Sequence, residues 1–319
     1  MSQAPEVSVI IPVYNAMPYL ERTLESVLDQ TLCRIEVICV DDGSTDNSLQ
    51  ILKKIQESDE RVIVLSQPNA GVSTARNRAI ELANAKFIAT LDADDYCPRH
   101  RLETQVAFLE THPDCVAVSG FAELVDENEE SIAVIATPTS HADLDARAFQ
   151  VGECAMCHAA TMFRTTALRD LGGYRDKYTY VEDYDLFFRL AEIGQLACIP
   201  DVLYYYRQLP QSICRTKKQE QRRLVVECIR ETCERRGIDF DEKTSPPELI
   251  PYEISTSRHY VNVAVQSILG GNPKTARANA FTALQHQPWH PFPWAAYALS
   301  FMPSSVTRSL VRNVIGRDV

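Results

Sequence analysis

Two carboxylates separated by one residue, in Asp92-Ala93-Asp94-Asp95, follow directly on an apolar run that ends at Leu91. Such a pair suits Mg2+ or Mn2+, hard cations that take one or two protein carboxylates and complete their shell with water and phosphate oxygens. A cation held there would offset charge gathering on a departing diphosphate. Asp41-Asp42-Gly43-Ser44 also ends an apolar run, as does Pro12-Val13-Tyr14-Asn15, and a third such end leads to Asn69-Ala70-Gly71 and then Arg76. Each alone has a plainer reading, because Asp, Asn and Gly favour turns and caps. Four such ends together make chance turns a poor account. Glu182-Asp183 opens a helical pattern, where acidic residues complement the helix dipole.

The elements that must position these groups alternate. Val7–Val13 reads as a strand, residues 18–30 as a helix, 35–40 as a strand, and Ser44-Thr45-Asp46 as the cap of the next helix. Residues 61–65 and 86–91 give two more strands with a helix over 72–83 between them. This order predicts a mostly parallel sheet with helices on both faces, and ligands beyond the carboxyl ends of its strands. Residues 115–137 read as two β-like stretches around Asp126-Glu127-Asn128-Glu129-Glu130, a charge run expected to be a solvated hairpin loop. A helix is expected near residues 183–193, and further helices over 217–236, 254–269 and 273–285. The last two look like a single tetratricopeptide-type unit, which cannot bury its own face, so the helices are expected to dock on the preceding domain.

Taken in order, Pro12-Val13-Tyr14-Asn15, Val40-Asp41-Asp42-Gly43-Ser44-Thr45-Asp46, Asn69-Ala70-Gly71-Val72-Ser73-Thr74-Ala75-Arg76-Asn77 and Leu91-Asp92-Ala93-Asp94-Asp95 resemble the family 2 glycosyltransferases. Leu171-Gly172-Gly173-Tyr174, Val181-Glu182-Asp183-Tyr184-Asp185-Leu186 and Tyr205-Tyr206-Arg207 followed by Ser212 continue the likeness, which covers about residues 5–215. The resemblance implies an α/β fold of GT-A type, a Rossmann-like mixed, mostly parallel sheet with helices on both faces, plus a C-terminal helical subdomain. The catalytic domain would span residues 1–215, with its nucleotide-sugar half at about 5–120 and its acceptor half at about 121–215, and the helical region 216–319.

The implied activity is inverting, metal-dependent hexosyl transfer from a nucleotide diphosphate donor, a UDP-sugar foremost, to a hydroxyl of a glycan or lipid-linked acceptor in cell-surface polysaccharide synthesis. By matching position, Pro12, Tyr14, Asn15, Asp41, Asp42, Arg76, Asp92 and Arg207 fall to the nucleotide sugar. Asp42 would accept a hydrogen bond from the base, Asp41 would shape that pocket, Arg76 would offset charge near the nucleotide, and Arg207 would reach the diphosphate. Asp94, with Asp92, would hold Mn2+ or Mg2+. Asp183 would be the general base, with Gly173, Tyr174 and Glu182 on the acceptor side. Ala79 departs from the family, which often has Gly there. Two other readings are a non-catalytic nucleotide-sugar-binding or scaffold protein of the same fold, and a nucleotidyltransferase. The latter would want a Gly-rich basic loop where Pro12-Val13-Tyr14-Asn15 stands.

A net charge of −11 and a pI near 5.2 tell against nucleic acid as a partner, which asks for a basic face. Residues 1–6 lack the basic start and apolar segment of a secretory signal, and no stretch approaches the roughly 18 apolar residues of a membrane span. A cytoplasmic location is therefore expected. The 10 cysteines are mostly scattered singly among apolar neighbours and are expected to be reduced. Cys154-Ala155-Met156-Cys157-His158 matches a haem-attachment signature, but such attachment needs export, and the segment is expected to be a partly buried strand entering residues 159–163. Trp289-His290-Pro291-Phe292-Pro293-Trp294 and the apolar residues 295–302 precede Arg308, Arg312 and Arg317. They read either as an interfacial helix making peripheral contact with anionic lipid at the inner face of a membrane, or, more plainly, as aromatics sealing the helical region against the catalytic core.

Overall fold

The computed structural model describes residues 4–151, 154–210, 217–240, 256–302 and 306–307. The chain forms two compact units that interleave along the sequence. One comprises Met1–Ala122, Ala136–Tyr205 and Gln219–Glu248, the other Glu123–Ile135, Tyr206–Lys218 and Leu249–Val319.

The first unit begins with β1 (Val7–Val13), α1 (Leu20–Leu28), β2 (Ile35–Asp41), α2 (Ser48–Ser58), β3 (Val62–Ser66), α3 (Val72–Leu82), β4 (Phe87–Thr90) and α4 (Arg101–Thr111). β1 and β2 are almost wholly buried, and near-continuous apolar runs are what a parallel strand covered on both faces requires. β1 lies parallel between β2 and β4, and β3 lies parallel outside β2. Register aligns Val13 with Asp41 and Asp41 with Ser66, so the strand ends that carry the polar motifs share one edge.

Beyond β4 the direction reverses. β5 (Cys115–Val125) and α5 (His141–Val151) precede β7 (Met162–Arg164), which lies antiparallel between β4 and β5. The strand expected from Cys154 onward is confined to those three residues, because a 3-10 turn at His158–Ala160 comes first. α6 (Thr165–Asp170), α7 (Glu182–Ala191) and the long β8 (Gln195–Arg207), which pairs with β5, follow in order. α8 (Lys218–Arg236) also belongs to this unit, where Leu224, Val225 and Cys228 join one core with Ile10, Ile38 and Leu186. All nine cysteines among the described residues are unpaired.

In the second unit the end of β5 forms a hairpin with β6 (Ser131–Ile135), and α9 (Thr256–Gly270), α10 (Pro273–His286) and α11 (Pro291–Leu299) pack on one another. The acidic turn is more than a solvated loop. Asp126 is buried, takes the Asn128 and Glu130 amides at 2.9 and 3.0 Å, and accepts from Asn279 Nδ2 at 3.0 Å. Tyr260 and Lys274 reach Glu127 and Glu130 at 3.0 and 2.8 Å, tying the helices to that turn. The expected aromatic seal is corrected: Trp289 is 96% exposed, Phe292 58% and Trp294 56%. Arg308, Arg312 and Arg317 lie outside the described residues. No helix among the described residues is long and apolar enough to cross a membrane.

Arg101 braces the sheet edge from below. Its side chain is fully buried and donates to the carbonyls of Thr90 and Ala159 at 2.8 and 3.0 Å. Arg101→Met should leave both carbonyls without that donor and cost about 2–4 kcal/mol, read as a lowered urea midpoint; an unchanged midpoint would remove this bracing role.

Candidate active site

The loop after β1 is locked to the loop after β2. Asn15, in the left-handed region at φ 50°, accepts the Thr45 and Asp46 amides on Oδ1 at 2.8 and 3.3 Å, and its own amide donates to Ser44 Oγ at 3.0 Å. The expected cap of α2 is rearranged by this contact. Asn47 stands at the N-cap without a side-chain bond, and Asp46 Oδ1 takes the Ser48 amide at 2.9 Å. Pro12 is half-buried at the end of β1 and Tyr14 is exposed beside it.

Asp41 and Asp42 are both buried at the end of β2. Asp41 accepts from the Ser44 amide at 3.3 Å and Ser66 Oγ at 3.0 Å. Asp42 takes Gln67 Nε2 and the Ala70 amide on Oδ1, both at 2.8 Å, and the Gly71 amide on Oδ2 at 2.9 Å. It thus shapes the loop that leads into α3. Gly43 fits under this loop only without a side chain, because a Cβ there would lie 2.8 Å from the Asn69 nitrogen and its φ is +75°.

Arg76, on α3, stands at the centre. Its buried guanidinium donates to Asp92 Oδ1 at 3.0 Å and Glu182 Oε1 at 2.7 Å, with the Tyr174 ring 5.4 Å away. The charge expected near the nucleotide is therefore held between the end of β4 and the start of α7. Arg76 Nε, Glu182 Oε2 and Ser73 Oγ are buried without hydrogen-bond partners, and buried polar groups of this kind call for an explanation such as a bound ligand or water.

The Asp92–Asp95 turn rests on two elements, α1 and β8. Thr23 Oγ1 on α1 donates to the Ala93 and Asp95 carbonyls at 2.9 and 2.7 Å, and Tyr204 on β8 donates to Asp95 Oδ2 at 2.6 Å. Asp95 is thereby buried, while Asp92 and Asp94 remain half-buried. Among the described residues no group of three or more His, Cys, Asp and Glu side chains is arranged to hold a metal. The two half-buried carboxylates fit a hard cation that draws its other ligands from a phosphate-bearing substrate and water.

At the residues expected to face the acceptor, Asn77 grips the Tyr174 backbone reciprocally, donating to its carbonyl and accepting its amide, each at 2.8 Å. Gly173, at φ +70°, leaves room for that grip, since a Cβ would meet Asn77 Oδ1 at 2.3 Å. The Tyr174 hydroxyl lies 2.7 Å from His158 Nε2. Burial lowers the imidazole well below its ordinary range and raises the phenol, so a neutral ring accepts from a protonated hydroxyl. Asp183 opens α7 beside Glu182 and takes the Tyr184 amide at 2.9 Å. Burial first, then the Glu182 charge, pushes its carboxyl up to about 6, against a contribution from Arg76. Arg207 belongs to the second unit, where it pairs with Glu129 at 3.2 Å.

His158, Thr23, Asn77 and Tyr204 escaped the sequence reading. His158 stood inside the misleading haem-like motif, and Tyr204 adjoined Tyr205-Tyr206-Arg207 with nothing to mark it.

Residues 8–172, just over half of the chain, match Glycosyl transferase family 2. The chain belongs to this family. Its fold is of GT-A type, and the family match sets aside the nucleotidyltransferase reading. Hyaluronan synthase of Pasteurella multocida is 28% identical over 278 residues, covering 82% of this chain and 26% of that protein. Chondroitin synthase of Escherichia coli is 29% identical over 218 residues, covering 64% and 29%. The chain thus spans under a third of the length of these two relatives. An uncharacterized glycosyltransferase of Haemophilus influenzae matches at 28% over 285 residues, 84% of this chain and 86% of its own. Among solved structures, S. aureus TarS 1-349 in complex with UDP-GlcNAc superposes with a TM-score of 0.60 at 19% identity, covering 97% of this chain and 92% of that one. Mannosyltransferase PcManGT from Pyrobaculum calidifontis, in complex with GDP-Man and Mn2+, gives 0.54 at 19% identity, covering 99% and 89%. These last likenesses carry the fold.

Arg76→Met should leave Glu182 buried without its counter-charge and cost about 3 kcal/mol. Denaturant unfolding checks this, and a loss under about 0.5 kcal/mol, the range of an ordinary surface substitution, would deny Arg76 its central place.

Proposed function

We propose that the protein moves a hexosyl group from a UDP-sugar to a hydroxyl of a glycan or lipid-linked acceptor, with inversion, in cell-surface polysaccharide synthesis at the inner face of a membrane. The observation that carries this reading is Asp183, a half-buried carboxylate with its pKa pushed up to about 6, beside the Asp92–Arg76–Glu182 bridge. The names of the synthase relatives and the UDP-GlcNAc complex of TarS support the acceptor class and the donor.

In this reading the donor's base lies against Asp41 and Asp42. A carboxylate offers about four acceptor sites, and the three N–H groups on Asp42 leave capacity for one from the base. Pro12, Tyr14 and Asn15 wall the nucleotide, and Arg76 aims Asp92 through the bond between them. Mn2+ or Mg2+ between Asp92 and Asp94 would supply charge neutralisation at the diphosphate oxygens. Gly173, Tyr174 and Glu182 shape the acceptor side. The acceptor oxygen bonds to the anomeric carbon as its proton passes to the Asp183 carboxylate. The bond to the diphosphate breaks on the opposite face, and its electron pair leaves with the nucleotide. A base with a pKa near the working pH suits that transfer.

Asp183→Asn should reduce transfer by about a thousandfold or more while donor binding, followed by calorimetry, persists; near-normal turnover would remove the base from Asp183. In the unaltered protein Asp183 must be ionised to accept the proton, so kcat/KM should fall as pH drops through about 6 and level off above it. A flat profile would contradict the assignment.

Asp94→Ala should abolish the extra thermal stabilisation that Mn2+ adds to UDP-sugar binding. Retention of that increment would place the cation elsewhere.

A further inference from the structure

α11 breaks the rule for a surface helix. Its sequence, Pro291-Phe292-Pro293-Trp294-Ala295-Ala296-Tyr297-Ala298-Leu299, carries no charge on any face. Pro293 and Ala296 turn inward, and Ala296 packs against Ala264 and Ala280. The opposite face of such a helix is ordinarily polar. Here it is apolar and open: Trp294 is 56% exposed and Phe301, just past the helix, 57%. Trp289 and Phe292 extend the surface at 96% and 58%. Trp294 is not a loose ring, since its Nε1–H donates to the Pro288 carbonyl at 2.8 Å. Single exposed apolar residues are ordinary, but an aromatic group of this extent marks an interaction surface.

Charge says what covers it. In a chain of net charge −11, residues 254–317 contain six Lys and Arg and not one Asp or Glu. One of these cations borders the aromatic surface directly, the Arg277 guanidinium lying 4.4 Å from the Phe301 ring centroid. A stretch of sequence whose Lys and Arg are unmatched by any acid, and which carries two exposed tryptophans, meets the requirements of an anionic bilayer surface. Trp favours the headgroup region, where its ring is apolar and its N–H wet, and each Lys or Arg adds attraction to acidic lipid.

We propose that the α11 edge docks the protein on an anionic bilayer, with Trp289, Phe292, Trp294 and Phe301 entering the headgroup region and Arg277 beside them facing lipid phosphates. The inference rests on the reading of a membrane-held acceptor for its purpose, since docking confines the enzyme to the plane in which a lipid-linked acceptor diffuses.

Trp289 and Trp294 are the only two tryptophans of the chain, so intrinsic fluorescence reports on this surface alone. Mixing the full chain with phosphatidylcholine–phosphatidylglycerol vesicles should shift the emission to the blue and carry the protein upward on flotation. Pure phosphatidylcholine should bind roughly tenfold less, and added salt should weaken the anionic binding. Trp289→Ser with Phe292→Ser, both at exposed positions, should lower the floated fraction about tenfold and leave transfer to a soluble acceptor unchanged. Unshifted emission on anionic vesicles would overturn the proposal, as would undiminished flotation of the double variant. So would emission that shifts with protein concentration in the absence of vesicles alongside dimers in sedimentation, because the surface would then belong to a second copy. Vesicle binding involves neither donor nor Asp183, so its failure would leave the transfer chemistry standing, and inactivity of the enzyme would leave the binding result readable.

Discussion

The bidentate bridge of the Arg76 guanidinium to Asp92 and Glu182 is the contact on which the site depends. An unpaired cation at that depth would be prohibitively costly, and so would an unpaired carboxylate at the position of Glu182. Pairing removes both penalties, but only if the end of β4 and the start of α7 arrive at the same guanidinium. The requirement is geometric and it couples distant parts of the chain. Asp183 inherits its position from it, because its neighbour Glu182 is fixed. It also inherits its chemistry. Burial raises the Asp183 carboxyl most, and the Glu182 charge adds to it, offset only in part by Arg76.

The turn that carries Asp92 and Asp94 is held in a different manner. Thr23, Arg101 and Tyr204 contact it or the strand below through neutral carbonyls and the one carboxylate, Asp95, that points inward. Support thus comes from beneath, and Arg76 bonds Asp92 at 3.0 Å from the α3 side. A ligand can then meet a turn whose backbone is already ordered, which reduces the entropy lost on binding.

Much of the first half was legible before any coordinates because β1 and β2 are covered on both faces and therefore read as unbroken Val and Ile runs. Their ends are marked by Asp, Asn and Gly at bends that favour these residues. β7 was not legible. Three residues carry no periodicity, and their strand state is imposed by β4 and β5 on either side. Asp126 looked like one more solvated acid because the residue that buries and satisfies it, Asn279, lies 153 positions away. Arg76 and Glu182 were both singled out from the sequence, yet as separate contacts for donor and acceptor. Their mutual bond spans 106 positions and nothing local announces it. For the aromatic run of residues 289–294, which continues into α11, an exposed interface and filling both stood open, because exposure is a property of the folded surface, which hydrophobicity alone cannot assign.

The reciprocal grip of Asn77 on Tyr174 has a consequence for anyone recombining such enzymes. Donor and acceptor preferences invite exchange as cassettes, with a crossover near the middle of the catalytic unit. Here a junction at that point would divide Asn77 from Tyr174, Arg76 from Glu182 and Thr74 from Asp176, each pair straddling the cut. A chimera that keeps α3 from one parent and the Gly173–Asp183 segment from another must keep these partners matched. The portable cassette is therefore discontinuous in sequence, and α3 travels with the Gly173–Asp183 segment that it holds.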